Sequence, residues 1–115
     1  MMLSVLKSKI HRAAVTGADI DYTGSIGIDE EFLEKVSLNE FERVEIYNIT
    51  NGARFSTYVI REPRGSKSII LNGAAARLVN KGDRIIIAAY AFINESEIKN
   101  HKPSVLILDD NNNFV

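Results

Sequence analysis

The feature that most constrains this chain is "RVEIYNITNGARFSTYVIR", residues 43 to 61, where two runs of alternating apolar and polar residues flank Asn51-Gly52. Alternation of period two sends successive side chains to opposite faces of a strand. A type I′ turn needs positive φ at both central residues, which Asn and Gly tolerate. The segment therefore predicts a β-hairpin. Further candidate strands are residues 3 to 16, "KSIILN" (67 to 72), "RIIIAAYAFI" (84 to 93, entered through Gly82-Asp83) and "SVLILD" (104 to 109). In "DYTGSIGID" a Gly-Ser pair leads into a short strand, and Asp29 is placed to cap a helix over "EEFLEKV", whose Phe32, Leu33 and Val36 form one apolar face. "GAAARLV" from Gly73 predicts a second short helix, and the terminal "DDNNNF" reads as a frayed tail. Many short strands without regular strand–helix alternation predict a mainly β fold, a small barrel or sandwich.

Size and composition fit one domain spanning residues 1 to 115. The chain has 45 % hydrophobic and 25 % charged residues, ordinary proportions for a globular domain, and seven Gly with two Pro argue against disorder. Its formal net charge is -1, and no charge run exceeds Asp29-Glu30-Glu31, so no nucleic-acid footprint of clustered Lys and Arg exists. With no Cys, disulfides, Cys-ligated zinc and thiol nucleophiles drop out together. The charged N-terminus does not resemble a secretory signal, and the apolar run from Ile85 to Ile93 falls far short of the ~20 residues of a spanning helix. A cytoplasmic location without membrane attachment is the expectation.

Strand parity groups the polar residues. Lys7, Lys9 and His11 share one face, as do Arg54, Ser56 and Tyr58. Such sets are often only the solvated side of a half-buried strand. Here, however, an ammonium and a guanidinium, both carboxylate ligands, accompany a phenol able to donate a proton. A small dicarboxylate suits that combination. Other schemes fail on residue type. Thr23 breaks the glycine pattern of a nucleophile elbow around Ser25, His11 and His101 have no ligand-spaced partner for a metal, and no dinucleotide or phosphate-loop glycine pattern occurs. A hydrolase using Ser25, His11 and Asp19 stays open on residue type, though nothing favours it.

Gly24-Ser25 admits a different chemistry. Glycine leaves its carbonyl uncrowded, so the Ser25 hydroxyl can attack it and move the acyl group from nitrogen to oxygen, provided a donor holds the oxyanion. β-Elimination of the ester leaves dehydroalanine at position 25, and hydration with loss of ammonia leaves a pyruvoyl cap. On the residues alone, a plain Gly-Ser turn remains the commoner use of such a pair.

The segments "KSKIHRAAVTGADIDYTGSIGID", "VEIYNITNGARFSTYVI" and "NGAAARLVNKGDRIIIAAY", in this order, resemble the small pyruvoyl-dependent aspartate decarboxylases. The joint spacing of Y-x-G-S, N-G-x-R-F-x-T-Y and N-G-A-A-A makes the likeness specific. It implies a six-stranded double-psi β-barrel with short helices, assembled as a homotetramer with sites at subunit boundaries. It further implies cleavage into residues 1 to 24 and 25 to 115, a covalent pyruvoyl group made from Ser25 with no metal, and conversion of L-aspartate to β-alanine and carbon dioxide for pantothenate and coenzyme A synthesis. Carried over residue by residue, Gly24, Ser25 and Thr57 serve processing, and Tyr58 donates the proton. Thr57, Lys9, Arg54 and the turn Gly73, Ala74 and Ala75 bind substrate, with His11, Tyr22, Tyr47 and Asn72 in support. The likeness departs at Thr23, Ile26 and Tyr47, the last standing where some members carry Trp. It leaves open whether cleavage is spontaneous or assisted by a maturation partner. The rivals are a non-catalytic double-psi barrel that binds a small anion or a protein, with Gly24-Ser25 as a turn, and a decarboxylase of a longer acid such as glutamate. Thr57 and Tyr58 pose one geometric problem. Adjacent strand residues face opposite sides, so both reach one site only at a bulge or between subunits.

Overall fold

A computed structural model describes residues 1–115 and contains eight strands: β1 (Met2–Ala14), β2 (Gly17–Asp19), β3 (Ser25–Asp29), β4 (Arg43–Asn48), β5 (Arg54–Glu62), β6 (Ile69–Asn72), β7 (Arg84–Asn94) and β8 (Ser104–Ile107). One α-helix, α1 (Glu30–Val36), follows β3, and 3-10 helices span Gly73–Leu78 and Glu95–Asn100. The mainly β expectation holds. Hydrogen-bonded neighbours run in the order β2-β6-β3-β5-β4-β7-β1-β8. β3 lies parallel to β5 and antiparallel to β6, and β1 is antiparallel to β7 and parallel to β8.

The sequence predicts seven strands, with "SVLILD" as β8 among them, and the eighth is β2. The first expected strand, residues 3 to 16, ends as β1 at Ala14 and the chain resumes as β2 at Gly17, with β1 pairing β7 and β2 pairing β6. Between them, the Val15 N–H donates to the Asp83 carbonyl before β7 and the Thr16 N–H to the Ile69 carbonyl on β6, so one continuous stretch of chain touches both. All eight strands belong to one sheet, with β8 outside β1.

The core follows mostly from parity. Ile26 and Ile28 on β3, Val44 and Ile46 on β4, Ile69 and Leu71 on β6, and Ile85 and Ile87 on β7 turn inward two by two, whereas on β1 Ile10 and Ala13 have opposite parity and both turn inward because the register shifts between them. Helix α1 closes one side with Phe32, Leu33 and Val36. Asp29 caps it by accepting from the Glu31 N–H at 2.8 Å, Glu30 and Glu31 occupy the electropositive first turn, and Lys35 lies in the last. The buried Asp29 carboxylate also accepts from the N–H groups of Gly65 and Lys67, tying the loop before β6 to the helix start.

Three expectations need correction. The hairpin forms, but its turn is not a two-residue type I′. Asn48 pairs with Ala53, and the Gly52 N–H reaches the Asn48 carbonyl at 2.8 Å, with positive φ at Gly52 (80°) and not at Asn51. The Asn48 side chain selects this longer loop by accepting from the N–H groups of Thr50 and Asn51 while donating to the carbonyl of Leu78 and the carboxylate of Asp83. The expected second short helix forms over Gly73–Leu78 as a 3-10 helix, but the helix over Glu95–Asn100 was not foreseen, although Asn94 and Glu97 form a capping box readable in "NESE". The tail is not frayed. Asn112 is 2 % exposed, its amide oxygen accepting from the Ala14 N–H and its nitrogen donating to the carbonyls of Ala14 and Lys67. Phe114 packs edge-on against Phe32, with ring centroids 5.8 Å apart.

Candidate active site

Ser25 opens β3, and its register partner is Asn72 at the end of β6. Directly opposite residues in an antiparallel ladder bring their side chains together. Accordingly the Asn72 amide donates to Ser25 Oγ at 3.0 Å, and the serine is only 1 % exposed. A buried hydroxyl held by a single amide donor keeps its own proton free for transfer and its oxygen fixed in place.

Gly73 follows Asn72 with φ at 65°. A Cβ there would stand 2.7 Å from Gly24 Cα and 3.1 Å from the Tyr22 carbonyl oxygen, so only glycine lets the backbone lie against residue 24. The conformational demand expected at Gly24 therefore falls on Gly73. Gly24 has no positive φ, and a Cβ on it would meet nothing nearer than the Asn72 carbonyl oxygen at 4.0 Å.

A cavity of about 360 Å³ adjoins Gly24 and is lined by Thr57, Tyr58, Asn72, Ala74 and Ala75 among others. It draws on both parities of β5 without a bulge, because it meets the strand at its edge. β5 pairs with β4 over Arg54–Tyr58, but its ladder to β3 begins only at Ile26–Val59. Continued one and two steps further back, that parallel register would set Ser25 beside Tyr58 and Gly24 beside Thr57. The unpaired edge of β5 thus faces the Gly24-Ser25 peptide, and side chains of either parity reach the space between. Tyr58, 40 % exposed, lines the cavity.

The cationic residues lie elsewhere in the chain. Lys9 lines a smaller hollow of about 160 Å³ with Tyr47 and Tyr90, and shares no lining residue with the cavity beside Gly24. Arg54 lies over the Tyr47 ring, its Cζ 4.0 Å from the centroid, a cation–π contact. Lys7, grouped with Lys9 by parity, sits at a register shift and turns to Glu42, with both carboxylate oxygens at 2.8 Å. His11 belongs to neither hollow. Its Nδ1 is buried without a partner, and burial, reinforced by the charges of Lys9 and Arg12, holds its pKa below the ordinary value. Tyr22 is largely exposed and borders the site through its backbone oxygen. Tyr90 was not singled out from the sequence. Its outward parity on β7, shared with Ala88, was the available signal.

The arrangement defines a class: a small mainly β protein that buries a serine behind a glycine, holds its hydroxyl with an amide, and opens a cavity onto the peptide between them. Comparison with known proteins narrows it. The model of the aspartate decarboxylase family matches residues 1–115. The chain is 56% identical to an aspartate 1-decarboxylase of Sulfurimonas denitrificans over 114 residues, covering 99% of this chain and 94% of that protein. It is 55% identical to one of Caldicellulosiruptor saccharolyticus over 115 residues, covering 100% and 90%. It is 52% identical to one of Ralstonia nicotianae over 112 residues, covering 97% and 93%. The chain belongs to the aspartate decarboxylase family.

Proposed function

We propose that this protein is an aspartate 1-decarboxylase that converts L-aspartate to β-alanine and carbon dioxide, supplying pantothenate and coenzyme A synthesis, after cutting its single domain between Gly24 and Ser25. The observation that carries this reading is the Gly24-Ser25 peptide at the unpaired edge of β5, with Asn72 on the serine hydroxyl and the Gly73 backbone against Gly24. Family membership over the full chain favours catalysis over a binding module that would use this pair as a turn.

The residues present fit a pyruvoyl group at position 25. The side chain is enclosed, and the glycine cradle at Gly73 leaves room beside residue 24 that any Cβ would fill. Such a group supplies an electrophilic ketone that withdraws the electron pair left as carbon dioxide departs. Thr57, which lines the cavity, offers a hydroxyl to the oxyanion formed during cleavage. Tyr58 returns a proton to the former α-carbon from the cavity wall. The first N–H groups of the 3-10 helix Gly73–Leu78 have no partner within that helix and are donors available to a substrate carboxylate.

Lys9 and Arg54 are assigned to the substrate carboxylates. In one chain Lys9 borders a different hollow from the one beside Gly24, and Arg54 lies on the Tyr47 ring that helps to line it, which supports a site completed between copies in a homotetramer. Apolar groups turned outward on β7 and β8, including Phe92 at 74 % exposure with Val105 and Ile107, supply surface for such contacts. The continuity of β1 with β2 supports the double-psi barrel. Taken as one bent strand, the pair completes a ring of six with β7, β4, β5, β3 and β6, and β8 is an addition. No helix is long and apolar enough to cross a membrane, in keeping with a cytoplasmic site of action.

Denaturing intact-mass measurement tests the proposal. Incubated protein should separate into residues 1–24 and a larger fragment whose terminus reacts with phenylhydrazine, and L-aspartate should release carbon dioxide much faster than L-glutamate. A chain that stays whole, alone and after incubation with lysate of a cell that matures such enzymes, would sink it. The Ser25→Ala chain should neither cleave nor decarboxylate.

A further inference from the structure

The outer face of the sheet around Lys9 contains an arrangement with no assigned purpose. On it, Glu45 pairs with Ala88 across the β4–β7 ladder, Lys9 pairs with the same Ala88 across β1–β7, and Tyr47 pairs with Ile86. Ala88 shares the outward parity of Ile86, Tyr90 and Phe92, yet it is only 1 % exposed. Its cover is an arch. The Tyr47 and Tyr90 hydroxyls meet above it at 2.9 Å, leaving the hollow shared with Lys9 beneath. The opposite neighbour of Tyr47 across the hairpin is Arg54, the residue stacked on its ring.

We infer that Tyr90 is a positioning residue for substrate recognition: by hydrogen bonding to Tyr47 it fixes the ring on which the Arg54 guanidinium lies, and so aims Arg54, beside Lys9, at a substrate carboxylate. The inference rests on the assignment of Lys9 and Arg54 to carboxylates. A phenol whose far end is pinned cannot swing about its side-chain torsions, and a guanidinium stacked on it keeps its donor edge in one plane. The small side chain at position 88 is part of the device, because anything bulkier would lift the arch. Tyr90 touches neither Gly24 nor Ser25, so it has no part in cleavage.

The test is a double-mutant cycle with Tyr90→Phe, Tyr47→Phe and the pair together, read on the full-length protein by calorimetric binding of succinate and by kcat and KM for L-aspartate. Loss of one neutral hydrogen bond predicts a weakening of succinate binding and a rise in KM of about two- to ten-fold. Cleavage should be complete and kcat should stay within about two-fold, as for a group that acts on binding alone. Each single variant should match the double one, because each breaks the same bond. Additive effects in the double variant would overturn the inference, as would an unchanged succinate affinity alongside a lowered melting temperature. A parent protein that cleaves and decarboxylates while Tyr90→Phe moves neither binding nor KM would overturn this inference alone. A parent that binds no succinate and turns over no aspartate would overturn the carboxylate assignment beneath it as well.

Discussion

At the scale of single residues, the site depends on what one side chain lacks and what another supplies. Gly73 lacks the Cβ that would strike Gly24 Cα at 2.7 Å, and it holds a φ of 65° that other residues adopt only with strain. Gly73→Ala should therefore block or severely slow cleavage and lower stability by about 1–3 kcal/mol; fragment appearance by mass and chemical denaturation measure the two effects separately. The larger demand placed on Gly73 than on Gly24 was not legible in the sequence, since "TGS" and "NGA" are equally plausible turns until folding lays one on the other. Tyr58 supplies the proton at the cavity wall. Tyr58→Phe should leave the two fragments intact and lower kcat by about 10²-fold or more, the range of a lost general acid. Blocked cleavage with unchanged turnover would remove that role.

At the scale of elements, alternation and capping were read from the sequence where the forces are local. α1 is bounded by its own residues, Asp29 at the start and Ser37 in the left-handed region at the end, with φ at 57°. What the sequence concealed is that the same Asp29 carboxylate also closes the loop before β6 through Gly65 and Lys67. β3 spans only five residues from Ser25 to Asp29, so this clamp and the Asn72 bond hold its two ends. Asp29→Ala leaves buried N–H groups unpaired as well as uncapping the helix, and should cost about 2–4 kcal/mol, more than an ordinary cap. A midpoint in urea no lower than that of a surface Asp→Ala control would contradict the clamp. The hairpin turn differed from its dipeptide signal for a comparable reason. Asn48 bonds to Leu78 and Asp83, both about thirty residues away in the chain, and those bonds outweigh the local preference of Asn51-Gly52.

At the scale of the whole molecule, distant segments are held together by groups whose sequence neighbourhoods say little. Asn112 joins the C-terminal segment to β1 and to the loop before β6. Asn112→Ala should lower the melting temperature by several degrees, consistent with about 1–3 kcal/mol for buried groups left unpaired, and a truly frayed tail would show no change. Lys7 and Glu42 join β1 to the segment before β4, and the titration of Glu42 gives a pH dependence. Burial alone would raise the Glu42 pKa, but the hydrogen bonds from Lys7 and Asn39 outweigh it and bring the value below the ordinary 4.5. A depressed carboxylate contributes its stability above the unfolded pKa and loses it as pH falls through the folded one. Urea midpoints should accordingly drop below about pH 4.5, and Glu42→Gln should flatten that limb while lowering the plateau at neutral pH.

The sequence by itself determined the mainly β class, the placement of α1, most strands to within a few residues and the family, because alternation, caps and motif spacing act between near neighbours in the chain. Tertiary structure alone decided which glycine is indispensable, that Thr57 and Tyr58 reach one cavity from opposite parities, that Lys9 sits in a separate hollow with Arg54 stacked on the Tyr47 ring beside it, and that the tail is anchored. Those features arise where a strand edge runs out of partners or where segments dozens of residues apart come into contact. One-dimensional patterns record which face a side chain takes, but not what the fold brings to meet it.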